Sequence, residues 1–526
     1  MCGFMSVCGT DLPLSVFKSS FHSIAHRGPD ASKCVVLNDG IMGFHRLAIM
    51  GLSEKGMQPM EWNGNVCICN GEIYNYRFLA KEKLNLSLHT GSDCEVLLPL
   101  YCKYKTQMFD MLDGEFAMVC YIKESDEWIA ARDSMGIRPM FYGFQKGNGR
   151  IAFASEAKAL LPFCDVIHPF PIGTYYKDGE FHCYHDCSNI TSIQANHNLE
   201  TLCKGIRSRL ESAVLKRLHS DAPIGFLLSG GLDSSLVCSI AAKHITQPIK
   251  TFAIGMDKDA IDLSYAREVA DFIGSEHHEF LITKDDVLKV LPEVIYHLES
   301  YDITTIRASV GMYLLCKKIS EEKDVKVLLS GEISDELFGY KYTDYAPSAK
   351  EFQKESEKRI RELYQYDVLR ADRCIAAHAM EARVPFSDKE LIAYIMRIDP
   401  ELKRNHYGIG KYLLRHAFTD MDLPKHIRMR EKAAFSDAVG HSLVDDIQAY
   451  ANQYYDDATY EAKRKCYTHA QPFTKESLYY RELFESFFPN RSHWIKGFWM
   501  PNATWPNCDV NDPSARVLKN YGNSGQ

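Results

Sequence analysis

An apolar run, Ile224-Gly225-Phe226-Leu227-Leu228, leads into Ser229-Gly230-Gly231-Leu232-Asp233-Ser234-Ser235 and then into the helix-like Leu236-Val237-Cys238-Ser239-Ile240-Ala241-Ala242. That order predicts a strand, a glycine turn and a helix start. Glycines let the backbone approach an oxyanion with no Cβ in the way, while serine hydroxyls and the unpaired amides of a helix N-terminus donate to phosphate oxygens. The loop suits a phosphate. It lacks the lysine of the Gly-x-x-x-x-Gly-Lys-Ser/Thr loop and places a carboxylate, Asp233, where a magnesium ion bridging phosphates can use it. Taken alone, the segment is also compatible with a plain Gly-Ser turn capping a helix.

The chain has 526 residues, more than the roughly 250 to 300 at which single cores stop growing, so at least two domains are expected. From Met1 to about Tyr184 it reads as short strands with turn punctuation, among them Val66 to Cys69, Phe116 to Tyr121 and Ile151 to Ala154, which predicts two packed sheets. His185 to Leu199 is polar and aperiodic, and the boundary is placed there: domains over 2–190 and 200–526. Beyond it, strand candidates at Gly225 to Leu228, Lys250 to Ile254 and Val325 to Leu329 alternate with helical patterns, the signature of a parallel sheet. Ligands of such sheets sit beyond the carboxyl ends of strands, so the loops at Ser229 and Ser330 are expected to face one site. Past Phe352, patterns such as Lys358 to Arg370 read as helical.

Basic and acidic residues number 61 and 69 and are spread along the chain, so no basic field points to nucleic acid. The 17 cysteines lack close pairing and read as reduced thiols of the cytosol. No run approaches the ~18 apolar residues of a membrane span, and the N-terminus lacks a signal-peptide pattern. A cytoplasmic protein without a membrane partner is expected. A homodimer stays open.

Met1 precedes Cys2, whose small side chain permits removal of the initiator methionine. The cysteine left behind carries both a thiol and a free α-amine, and an amine with an ordinary pKa of about 7.7 to 8.0 can take the thiol proton as the base of a nucleophilic attack. Any chain beginning Met-Cys meets that description. Further motifs agree with it: His26-Arg27-Gly28-Pro29-Asp30, Phe44-His45-Arg46-Leu47-Ala48-Ile49, Asn70-Gly71-Glu72-Ile73-Tyr74-Asn75, Gly91-Ser92-Asp93, and Arg132-Asp133-Ser134-Met135-Gly136-Ile137-Arg138-Pro139.

On these residues the chain resembles the glutamine-dependent amidotransferases with an N-terminal cysteine nucleophile. With Ser229 to Ser235, Ser330-Gly331-Glu332, Glu381-Ala382-Arg383-Val384-Pro385-Phe386 and Phe435-Ser436-Asp437 added, it resembles the glutamine-hydrolysing asparagine synthetases, and the tail Asp512-Pro513-Ser514-Ala515-Arg516 is similar to the animal type. The resemblance covers nearly the whole chain. It implies an α/β plus α+β protein: a two-sheet sandwich of the N-terminal nucleophile type, then a parallel-sheet ATP pyrophosphatase domain with a helical extension.

The resemblance also implies roles. Cys2 would form a thioester from the glutamine amide, with the Asn70 side chain and the Gly71 amide as oxyanion donors. Arg46 would clamp the α-carboxylate and Asp93 the α-ammonium, with Ile49 and Glu72 also at the glutamine site. In the second site the aspartate β-carboxylate would attack the α-phosphate of ATP, and ammonia would displace AMP. Ser229, Gly230, Gly231, Ser234, Ser330, Gly331 and Lys432 would hold the phosphates, the backbone at Leu228 and Ile254 would hold adenine, and Asp233 and Asp335 would bind Mg2+. Glu332 would take a proton from the attacking ammonia. Thr304, Thr305, Arg307 and Arg383 are candidates at the transfer site, although Thr304 and Thr305 also read as ordinary caps of a helix. Ammonia would cross between the domains through an apolar passage.

Several positions depart from the family pattern. Ile333 stands for the second glycine of Ser-Gly-Glu-Gly-Ser-Asp-Glu, Ser387 for a leucine, Ala438 for a glycine and Gly51 for an aspartate, and the loop at Phe338-Gly339-Tyr340 is one residue shorter. If the backbone at Ile333 takes a positive φ, a β-branched residue there is an outlier. Two alternatives to aspartate amidation therefore stay open: an amidotransferase for another carboxylate, and a nucleotide- or glutamine-sensing homologue.

Overall fold

The computed structural model describes residues 1–9, 11–194, 198–257, 260–322, 324–431 and 439–522. Among the described residues the N-terminal half holds twelve strands: β1 (Gly3–Cys8), β2 (Ala31–Leu37), β3 (Gly40–Arg46), β4 (Met60–Trp62), β5 (Asn65–Ile73), β6 (Gly114–Ile122), β7 (Glu127–Arg132), β8 (Phe141–Gln145), β9 (Ile151–Ala154), β10 (Cys164–Pro169), β11 (Thr174–Lys177) and β12 (Glu180–Cys183). They form two six-stranded sheets, β10-β8-β9-β1-β3-β2 and β12-β11-β7-β6-β5-β4, whose pairs are antiparallel. Phe4, Met42, Phe44, Ile68, Val119, Ala130, Phe153 and Phe170 share one buried cluster drawn from both sheets. Burial of such side chains, at about 25 cal/mol per Å² of apolar surface, holds the layers together.

The helix Leu199–Arg217 follows, and the Asn198 side chain accepts a hydrogen bond from the Thr201 amide to cap it. Its last residues reach back to the first half: Lys216 pairs with Asp113 and Arg217 with Glu115. Then come β13 (Ile224–Leu227), β14 (Lys250–Met256), β15 (Glu276–Ile282), β16 (Val327–Leu329) and β17 (Glu381–Arg383). They form one parallel sheet in the order β15-β14-β13-β16-β17. The chain moves outward from β13 to β15 on one side and resumes at β16 on the other. The crevice beyond β13 and β16 is thus the point where strand order reverses, the place such sheets bind ligands.

The helical pattern over Lys358 to Arg370 is not one helix. It spans the end of Ala349–Glu362, a short turn, and the start of Asp367–Ala376, with Tyr366 at φ −126° and ψ −101° between them. Leu363 and Tyr366 are both buried at this break, so tertiary packing overrides a periodicity that runs through it.

The two halves meet over buried ion pairs. Arg27 bonds Glu156 of its own half and Asp372 of the other, and Arg383 at the end of β17 pairs with Glu72 at the end of β5 at 2.9 Å. Removing one partner of such a pair leaves a buried charge and costs about 3–5 kcal/mol.

Candidate functional site

A large pocket opens beyond β13 and β16. Leu227, Leu228, Phe252, Ile254, Met312 and Leu315 give it an apolar end, and Ser229, Gly231, Asp233, Ser234, Ser330, Gly331, Glu332 and Asp335 line the rest. Gly230 has φ +70°, and a Cβ there would lie 2.5 Å from Cβ of Tyr265. At Gly331 a Cβ would lie 2.7 Å from the Ser234 amide nitrogen and 2.9 Å from the Asp233 carbonyl carbon. The two strand-end loops therefore touch, and glycine is what lets them. Within the first loop the Ser229 and Ser234 hydroxyls are 3.0 Å apart, and Ser234 Oγ accepts from the Ser229 amide. The Ser330 hydroxyl is buried and has no hydrogen-bond partner among the described residues, which suits a group that brings its own acceptors.

Asp233, in the first turn of the helix Leu232–His244, does not stand alone. The Lys411 ammonium donates to both its oxygens at 2.8 Å and to Ser334 Oγ at 3.0 Å, and it lies 2.7 Å from Asp335 Oδ1. Lys411 is buried and has a left-handed backbone, φ 59° and ψ 34°. It sits in Gly408-Ile409-Gly410-Lys411, a glycine-punctuated turn before the helix Tyr412–Ala417, and that turn is the local signal that marks it in the sequence. The Glu332 carboxylate accepts from Arg370 at 2.7 Å, a second partner the motifs did not indicate.

Ile333 meets the condition that makes it an outlier. Its φ is 79° and ψ −18°, and its side chain is 2% exposed at the pocket wall. A β-branched residue held there stores about 1–3 kcal/mol.

The transfer-site candidates divide. Thr304 lines the pocket, and its buried hydroxyl has no partner among the described residues. Thr305 instead gives its amide and hydroxyl to Asp302, so it belongs to the helix cap. Arg307 reaches the pocket wall, but each of its guanidinium nitrogens is already bonded. They donate to Glu476, Asp512 and the Ser514 hydroxyl at 2.6–2.9 Å. The tail Asp512 to Ser514 is thereby tied to the pocket, and Arg307 has no donor left for a phosphate in this state. Arg383 is not at the transfer site at all. It is fully buried at the domain interface, bonded to Glu381, Glu72 and the carbonyls of Arg217 and His219, because a guanidinium at the end of edge strand β17 faces the first domain. Lys432, like Phe435, Ser436, Asp437 and Ala438, lies outside the described residues.

The second constellation surrounds Cys2. Its thiol donates to the Leu47 carbonyl at 3.5 Å and accepts from the Leu47 amide at 3.3 Å, and burial pushes its pKa up to about 11. The Met1 amine is buried and donates to the Met380 carbonyl of the other domain at 2.7 Å, while burial brings that amine down to about 5. With Met1 in place the Cys2 nitrogen is a peptide amide, which is no base. Asn70 is buried on β5, and neither its carbonyl oxygen nor its amide nitrogen has a partner among the described residues. The unpaired side-chain amide nitrogen is the group that fits an oxyanion donor. At Gly71 a Cβ would come within 2.4 Å of the Glu115 carbonyl oxygen on β6.

The glutamine-clamp candidates are differently disposed. Arg46 donates to the carbonyls of Met50, Gly51 and Ser53, so it holds the turn that follows Ile49, itself buried. Gly51, with φ +58°, presses on the loop 90–92, where a Cβ would lie 2.7 Å from the Thr90 carbonyl oxygen; the aspartate expected there does not fit. Asp93 accepts from the Ile73 amide at 2.7 Å, and burial raises its pKa to about 6. Glu72 is turned to Arg383, and burial raises its pKa well above the usual carboxylate range.

Comparison with known proteins adds to this geometry. The family profile described as asparagine synthase matches residues 205–352 and 344–511, and the one described as glutamine amidotransferase domain matches residues 1–202. The chain is 41% identical to the glutamine-hydrolysing asparagine synthetase of Gallus gallus over 99% of both chains. It is likewise 41% identical to that of Homo sapiens over 99% of both. The Arabidopsis thaliana enzyme designated 3 is 41% identical over 93% of this chain and 88% of its own. Among solved structures, the glutamine phosphoribosylpyrophosphate amidotransferase from B. subtilis aligns at a TM-score of 0.31 with 16% identity, over 53% of this chain and 81% of that one, too low to bear on mechanism.

Proposed function

Because the chain belongs to the family of glutamine-hydrolysing asparagine synthetases, an ATP-dependent ligase family, we propose an assignment of its two constellations to the two halves of that reaction. It makes asparagine from aspartate with nitrogen taken from glutamine. The single observation that carries the assignment is the contact of the two strand-end loops, Gly331 against Ser234 and Asp233, in a pocket with Leu228 and Ile254 at its apolar end.

In that pocket adenine lies against Leu228 and Ile254, and Ser229, Gly230, Gly231, Ser234, Ser330 and Gly331 surround the phosphates with small donors. Thr304 is the transfer-site group with a hydroxyl to give. Glu332 accepts a hydrogen bond from Arg370, and its carboxylate is the group placed to take the ammonia proton. Asp233 and Asp335 converge on one cation already, the Lys411 ammonium, so their geometry fits a positive ion. Magnesium, when bound, supplies charge to offset that spread over the transferring phosphates.

At the other site Cys2 is the nucleophile once Met1 has been removed, because only then does an amine adjoin the thiol. Asn70 and Gly71 stabilise the oxyanion. Asp93 takes the glutamine ammonium, whose charge favours the ionised carboxylate against its burial. Arg46 shapes the site by fixing the turn at Met50 to Ser53. The free thiol state of all 17 cysteines supports a cytosolic setting.

Product analysis with glutamine, aspartate and ATP tests this reading: AMP, pyrophosphate, glutamate and asparagine should form in equal amounts, and ADP in place of AMP would sink it. The left-handed Ile333 at the pocket wall favours a second reading, a pocket reshaped for another carboxylate. Pyrophosphate exchange into ATP supported by a different carboxylic acid but not by aspartate would select it.

A further inference from the structure

Four oxygens converge on one nitrogen at the floor of the pocket. They are both carboxylate oxygens of Asp233, Oδ1 of Asp335 and Oγ of Ser334, all 2.7–3.0 Å from Lys411 Nζ. They come from two different strand-end loops, and the ammonium from a third segment. An ammonium has three protons, so four near-equal oxygens form a shell around a charge more than a set of directed bonds. The same two carboxylates are the pair that would serve a divalent ion. Oxygen-to-magnesium distances of about 2.0–2.1 Å leave no room for an ammonium within the same shell.

We propose that Lys411 is an exchange residue: it holds the place of the divalent cation between Asp233 and Asp335 while the pocket is empty, and gives it up to the metal carried in on the nucleotide. The geometry supports this: the ammonium lies between the two carboxylates and brings a positive charge to the place a dication would take. A dication neutralises the carboxylates and frees the ammonium, which stays within the pocket that Lys411 lines and is then available to the phosphates. The left-handed backbone at Lys411 is consistent with a residue held for position against its local preference. Arg415 and Arg430 also line the pocket, but Arg430 is engaged with Asp262 at 2.7 Å and Arg415 with the carbonyls of Gly410 and Arg428, so neither duplicates the role.

The inference rests on the nucleotide reading of this pocket, and its test separates the two. Lys411→Gln in the full chain removes the ammonium with a polar side chain of similar reach. Mn2+ alone is titrated without nucleotide, followed by electron paramagnetic resonance. Separately, a magnesium complex of an ATP analogue with a methylene in place of the α–β bridging oxygen is titrated by calorimetry. The variant should bind free Mn2+ at least about tenfold more tightly than the wild type, since the ammonium that lies between the two carboxylates no longer competes with the ion, and should bind the analogue more weakly. A residue with only a structural role would weaken both. Free Mn2+ affinity unchanged or lowered in the variant overturns the proposal. If the variant does not fold, the wild type decides. Mn2+ binding without nucleotide that is as tight as with it, and is lost in Asp335→Asn, overturns the proposal; Mn2+ uptake that requires the analogue upholds it. Failure of the wild type to bind the magnesium analogue overturns the nucleotide reading itself.

Discussion

Ile333 allows a quantitative test of backbone strain inside the synthetase pocket. At an ordinary φ, glycine is less stable than alanine by about 0.5–1 kcal/mol, because it loses more chain entropy on folding. At a left-handed φ, alanine instead meets the following carbonyl with its Cβ, which costs about 1–2 kcal/mol and spares glycine. With φ at 79°, the order should invert, and Ile333→Gly should exceed Ile333→Ala in stability by about 0.5–1 kcal/mol. Both variants lose most of the buried sec-butyl packing, at about 2–5 kcal/mol; they differ by one carbon, the Cβ that alanine keeps, and by the backbone strain that glycine alone escapes. In a domain of this size 1 kcal/mol corresponds to about 2–4 °C in Tm, which puts the glycine variant about 1–4 °C above the alanine variant. Differential scanning calorimetry at one fixed scan rate resolves that interval. An alanine variant that melts at or above the glycine variant would refute the strain argument. The same two proteins, assayed for pyrophosphate exchange, report whether the side chain or the backbone shapes the acceptor pocket.

Cys2→Ala should abolish glutamine-dependent asparagine formation and leave ammonia-dependent formation intact, as measured by asparagine released under each nitrogen source; loss of both contradicts separable sites. Asp93, raised to about 6 by burial, should make glutamine use pH-dependent. Below pH 6 its carboxyl is neutral and offers the glutamine ammonium no charge, so KM for glutamine should rise several-fold as pH falls through about 6, and Asp93→Asn should flatten that profile at the higher KM. Folding carries the opposite sign. A carboxyl raised from 3.8 to about 6 binds its proton more tightly when folded, so its contribution to stability is present below pH 4 and is lost as pH rises toward 6.

Much of this protein was legible along the chain because the chemistry involved is local. The strand, turn and helix start at Ser229 to Ser235 were legible because the φ freedom, the helix-start amides and the hydroxyls all lie within seven consecutive residues. The proposed oxyanion donors Asn70 and Gly71 came instead from the resemblance carried by the motif Asn70 to Asn75. The alternation of apolar runs that became a parallel sheet was legible along the chain. The break near Tyr366 was not, because periodicity says which face of a helix is apolar and nothing about where packing interrupts it.

Charge partnership was the least legible. Lys411 lies 178 residues from Asp233, and nothing in spacing says that its ammonium sits between two carboxylates. Arg307 stands at a transfer-site position of the motif, but Glu476 and Asp512 occupy its guanidinium. Arg383 looked like a transfer-site residue until the register of β17 turned it to Glu72. A buried charge takes whichever partner the fold brings within hydrogen-bond range, because burial without one costs several kcal/mol. By itself, then, the sequence determined the loops and the kinds of group each site has to offer. Only the tertiary structure decided which of those groups are spent on one another and which, like the side chains of Thr304, Ser330 and Asn70, have no partner among the described residues.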